Sequence, residues 1–184
     1  MAIRLLKVFI NLKSSSLPFL APLLALGLTG CITATGPILG DAKAILGDRI
    51  QVHAFAGPKD GRRDYTAGIF EWSGSRYVSR SRDFTDFTIH PYEGRDLIIQ
   101  SPTSRGSTTI NFGLARRIAE GVYLIIPIQD EDADEPTRAR FCTKTQGADC
   151  RISTPEQLFV FARASAARDE DIAAVAVVVA APKK

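Results

Sequence analysis

Thr108–Ala115 reads TTINFGLA and Val122–Gln129 reads VYLIIPIQ, and this pair of segments decides the fold class. In the first, Ile110, Phe112 and Leu114 recur at every second position, the period that sends alternate side chains to one face of a strand. The second is a compact apolar run rich in β-branched residues, too short for a buried helix. Gly121 stands between them and an acidic stretch follows, so two adjacent strands joined by a turn are expected.

Working upstream, the same signals repeat. Asp96–Gln100 (DLIIQ) is a further strand, and Phe84, Phe87 and Ile89 mark another that ends at His90-Pro91, where proline stops the ladder. Tyr65–Trp72 (YTAGIFEW) and Arg76–Ser79 flank Ser73-Gly74-Ser75, the pattern of a hairpin with glycine at its tip. Ile50, Val52 and Ala54 alternate with polar partners before the turn cluster Gly57-Pro58-Lys59-Asp60-Gly61. Downstream, Thr154-Pro155-Glu156-Gln157 has the form of a capping box with proline at the first helical position. Leu158, Phe161, Ala162 and Ser165 then share one helical face. Asp169-Glu170-Asp171 ends that helix, and Ile172–Ala181 (IAAVAVVVAA) reads as a strand buried on both faces. The expected class is mainly β, an antiparallel small barrel or sandwich, with one C-terminal α-helix.

The N-terminus has a different character. Arg4, Lys7 and Lys13 precede an apolar run from Leu17 to Leu28 (LPFLAPLLALGL), and the run ends in Thr29-Gly30-Cys31. A basic start, a short apolar stretch and small residues make a secretory signal, and the run is well short of the ~20 residues that a spanning helix needs. Leu28-Thr29-Gly30-Cys31 resembles the lipobox of bacterial lipoproteins, with an aliphatic residue three positions before the cysteine and a small one next to it. The resemblance covers only the signal. It implies cleavage after Gly30, diacylglycerol on the Cys31 sulfur and acylation of the new amino group, and several acyl chains anchor a protein stably. Ile32 stands where Asp retains such proteins on the inner membrane in the best-known sorting rule, so the implied location is the outer membrane, facing the periplasm.

On this reading residues 1–30 are the signal peptide, 31–48 the lipidated cysteine and a small, Gly-rich tether, and 49–184 one mainly-β domain. Of the 23 basic and 20 acidic side chains, three basic and no acidic ones precede Cys31, which leaves 20 of each in the mature chain. A formally neutral domain is not drawn to nucleic acid by its charge, and none is expected as a partner. Two cysteines remain, Cys142 and Cys150. An oxidising compartment favours their pairing around a short loop centred on Gln146-Gly147, whereas a metal pair lacks further ligands because His53 and His90 are the only histidines.

Chemistry is thinly signalled. Trp72-Ser73-Gly74-Ser75 lacks the first glycine of a nucleophile elbow and sits in an expected hairpin. His90 has no orienting partner implied by sequence, and His53 alternates toward solvent. The run Asp130-Glu131-Asp132-Ala133-Asp134-Glu135 lacks the glycine and the closing glutamate of a calcium loop, and a solvated connection is its simpler reading. Arg76, Tyr77, Arg80 and Arg82 suit either an anion- or glycan-recognising face or a charged edge strand. The aromatic set from Tyr65 to Tyr123 suits a core rather than a ligand cavity. No catalytic residue, cofactor or metal is expected. The expected function is that of a membrane-anchored, non-enzymatic envelope module that binds an envelope protein or glycan. A periplasmic ligand-binding or inhibitor β-domain is the alternative. A flat exposed aromatic patch distinguishes the first and a roomy apolar cavity the second.

Overall fold

The computed structural model describes residues 32–56, 64–144, 150–168 and 172–181. Residues 1–30, read as a signal peptide, Cys31, and the turns or break expected at 57–61, at Gln146-Gly147 and at 169–171 lie outside them. Among the described residues no helix is long and apolar enough to cross a membrane.

The chain is mostly β, as its patterning predicts. The long strands are β2 (Arg49–Ala56), β3 (Tyr65–Trp72), β6 (Asp96–Pro102), β7 (Thr109–Ala119), β8 (Val122–Pro127) and β11 (Ala174–Ala180). Shorter ones are β1 (Ile32–Thr35), β4 (Tyr77–Ser79), β5 (Thr88–Pro91), β9 (Thr143–Lys144) and β10 (Cys150–Arg151). All belong to one sheet of order β4-β3-β2-β11-β8-β7-β1-β10-β9, with β6 on the free edge of β7 and β5 beside β6. Every pair is antiparallel except β1 with β10. The sheet curls without closing. Two of its ends meet through a single bridge between β4 and the residue just before β5, in which Tyr77 and Phe87 exchange backbone hydrogen bonds of 2.8 and 3.1 Å.

Strand alternation divides the apolar residues into two cores. Ile50, Ala54, Phe70, Ile99, Ala115, Tyr123 and Ala176 point to the concave side. Ile98, Phe112, Leu114 and Ile126, each next in sequence to an inward residue or on the same strands, point outward. The outward set is covered by α2 (Pro155–Ala166), which lies against β7 and β8 and contributes Leu158, Phe161 and Ala162. Leu158 and Phe161 are fully buried there, each worth about 1.5–3 kcal/mol. The helix begins as the sequence predicts: the Thr154 hydroxyl accepts the Gln157 amide, and the Gln157 side chain accepts the Thr154 amide at 3.1 Å. A second helix, α1 (Glu135–Phe141), replaces part of the expected acidic connection, with Asp134 accepting the Thr137 amide at 2.9 Å as its cap.

Two expectations are corrected. Residues 32–48 are not a tether. Ile32 and Ala34 are buried between β7 and β10, and Ile38, Leu39 and Leu46 pack on the cores. Their small, Gly-rich composition is flexible only when nothing accepts the apolar side chains, and here β7 and the helix layer do. The closing strand is not buried on both faces either. Ala174 and Ala176 are buried, whereas Val179, on the opposite face, is 43% exposed.

Candidate functional site

The uncovered half of the convex face is built by register. On β2, Phe55 lies opposite Tyr65 of β3 and Val175 of β11, His53 opposite Ala67 and Val177, and Gln51 opposite Ile69 and Val179. Pleating sends all nine to the side away from the concave core. Leu124 and Val122 of β8 extend the rows beyond β11. Helix α2 stops short of these strands, so Phe55 is 47% exposed, Tyr65 54% and Ile69 40%. The aromatic end is ordered: the Phe55 and Tyr65 rings are 5.0 Å apart, and the Tyr65 hydroxyl lies 2.8 Å from His53 Nδ1. At the other end Glu71 takes Arg49 at 3.3 Å and Arg80 at 3.1 Å, so the charges along that rim are paired with one another. The face is apolar on β3 and β11, with His53 and Gln51 between them on β2, and exposed apolar residues grouped in this way mark a contact surface.

The concave side holds a cavity of about 70 Å³ with an almost wholly hydrocarbon lining. It exists because small residues occupy inward positions on β2, β3, β11 and β7: Ala54, Gly68, Ala174, Ala176 and Ala115. Phe84 closes it over the open seam. A Cβ on Gly68 would stand 2.8 Å from the Phe84 ring, so the ring rests directly on the glycine. One guanidinium nitrogen of Arg105 holds the covering loop through the carbonyls of Ser79, Ser81 and Phe84 at 3.1, 2.8 and 3.1 Å. At another side Leu46 lines the cavity, and its amide donates to the Tyr77 hydroxyl at 2.9 Å.

The residues singled out in the sequence are dispersed. Cys142 and Cys150 form a disulfide, with sulfurs 1.98 Å apart, which ties the end of α1 to β10. His90 is buried, and its Nε2 lies 2.9 Å from the Thr88 hydroxyl, which in turn accepts from Gln100 at 3.2 Å. Burial pushes the imidazole below its ordinary value. Ser73 sits in the β3–β4 hairpin, with its amide on the Arg76 carbonyl. The acidic run serves the packing of the helices: Asp134 caps α1, while buried Asp132 accepts the Ser165 hydroxyl at 2.6 Å and pairs with Arg168 at 3.4 Å. Among the described residues no group of three or more His, Cys, Asp or Glu side chains could hold a metal ion. The charged-aromatic face around Arg76 and Tyr77 does not form, because Tyr77 is fully buried and Arg76 pairs with Asp86 at 3.2 Å. Sequence reasoning missed the uncovered face. Its signal was present in the outward series Val175, Val177 and Val179, but the sequence does not say what covers them.

Compared with known protein families, curated proteins and solved structures, the chain matches none.

Proposed function

We propose that this protein is a lipid-anchored, non-enzymatic module of the bacterial envelope that docks a partner protein on the outer face of β3, β2 and β11. The observation that carries the reading is that uncovered face, on which Phe55, Tyr65, Ile69 and Val179 are all exposed. Exposed aromatic and aliphatic residues around the hydrogen-bonded His53–Tyr65 pair, with charged residues at one rim, have the composition of a protein–protein interface. The rim charges Arg49, Glu71 and Arg80 pair among themselves, which favours an apolar protein surface over anionic lipid headgroups. The lipobox at Leu28–Cys31 supplies the anchor. With Ile32 already in β1, such an anchor leaves no spacer, so the domain sits directly on the bilayer surface.

The test is in-cell photocrosslinking of the full-length protein with a photoreactive residue at Ala67 or Val177, and at exposed Glu156 of α2 as the control. The expected result is one common protein adduct from both face positions and none from Glu156. That partner, purified, binds the wild type and is weakened by Ile69→Asp. Adducts only to lipid, only to a second copy of the chain, or equally from Glu156 overturn the reading.

A further inference from the structure

We propose that the concave side of the sheet is a binding site for one unbranched hydrocarbon chain, admitted at the β4–β5 seam when the Phe84 ring turns outward. This is independent of the docking face, which lies on the opposite side of the same strands.

The lining states the ligand class. The cavity walls are alkyl and aromatic carbon, with the Tyr123 hydroxyl as the one side-chain polar group on a lining residue. A polar head would lose its water there without gaining partners, so only a chain is accommodated. The interior is unfilled by composition rather than by chance placement of one residue. On β2, β3, β7 and β11 the inward positions Ala54, Gly68, Ala115, Ala174 and Ala176 carry a methyl or less, where a sheet curled to pack its own core would carry Leu or Ile. The resulting void of about 70 Å³ is roughly half the ~150 Å³ cavity that takes up benzene.

The way in is the seam between β4 and β5, which lacks a ladder among the described residues. Between β4 and β5 only Tyr77 and Phe87 are bridged, and the loop beyond them places Phe84 over Gly68. Ser101 and Arg105 hold the loop backbone, through the Asp86 carbonyl at 3.2 Å and the carbonyls of Ser79, Ser81 and Phe84. The backbone therefore stays while the ring turns about its side-chain torsions. The space that the ring leaves joins the existing void into a slot open to the seam. Gly68 is what allows the ring to close, since any side chain there would meet it.

The experiment uses the whole chain with Cys31→Ser, so that no acyl group of its own competes, and dodecanol and dodecanoate as probes. Methyl NMR follows Ala54, Ala115 and Ala176 within the cavity and Val177 on the outer face. Saturable shifts of the three alanine methyls, with contacts from the chain to Ala176, are expected for both probes, with similar affinity. Phe84→Ala should tighten binding about tenfold, the factor that a pair of further buried methylenes supplies. Ala176→Leu should abolish it, and Ala115→Val is the second filled variant if Ala176→Leu fails to fold by circular dichroism. Shifts confined to Val177, unchanged binding in a folded filled variant, or binding of dodecanoate alone would each overturn the proposal. Ile69→Asp on the docking face leaves probe binding unchanged, so the failure of either proposal is visible apart from the other.

Discussion

The carbonyl oxygen of Val178 lies 2.6 Å from where a Cβ on Gly121 would stand, and the Gly121 carbonyl accepts the Val178 amide at 2.7 Å. The tight turn between β7 and β8 is thereby laid against β11, and Gly121 has φ +68°. Left-handed backbone costs an ordinary residue about 1–2 kcal/mol, and here the added carbon also meets fixed backbone. Gly121→Ala is expected to lower unfolding free energy by about 2–4 kcal/mol, combining that strain with a forced separation of the strands. Urea denaturation checks it, and a midpoint equal to the wild type's would count against this account.

Gln100 joins the sheet to the segment after β1. Its Oε1 accepts the amides of Ile38 and Leu39 at 3.0 and 3.3 Å, and its Nε2 donates to Thr88. Gln100→Leu keeps the volume and removes the acceptor, leaving amides in a partly buried place at a cost of about 1–3 kcal/mol. Hydrogen exchange should show Ile38 and Leu39 losing protection while the β7 amides keep theirs.

His90 makes stability depend on pH with a defined sign. Burial lowers its folded-state value below 6.5, so the unfolded chain binds the proton first as pH falls. The contribution is complete above that value. It is lost progressively as pH drops from there through the folded-state value. Urea midpoints should therefore fall between pH 7.5 and pH 5, and His90→Gln should flatten that part of the profile. A His90→Gln profile as steep as the wild type's would assign the dependence to other groups.

The anchor and the disulfide are read together by intact mass. Detergent-extracted protein is expected at the mass of residues 31–184 plus acyl groups, rising by about two hydrogens on reduction, as suits an oxidising compartment. Reduction or Cys142→Ser with Cys150→Ser should cost about 2–3 kcal/mol, the chain-entropy value for so short a loop. A mass that retains residues 1–30 or lacks lipid would remove the protein from the membrane and overturn the proposed function with it.

What the sequence determined is whatever one segment's own chemistry controls. The two-residue period of Thr109–Ala115, the glycine-tipped hairpin after Trp72 and the Thr154–Gln157 capping box each act within a few residues, and each stands in the structure where local patterning puts it. The Cys142–Cys150 pair was legible for the same reason, being eight residues apart in a stretch without other ligands. The tertiary structure alone decided what lies across from those segments. Ile32–Thr35 looks like a spacer until β7 and β10 supply its partners from far along the chain. Val175, Val177 and Val179 look like core until α2 is seen to lie on β7 and β8, which leaves the first two half-buried and Val179 exposed. Ala176 and Gly68 look like neutral small residues until the curl of the sheet sets them facing one void beneath Phe84. Periodicity fixes which side of a strand a residue occupies. Whether that side meets helix, solvent or empty space depends on long-range pairing, which no local pattern encodes.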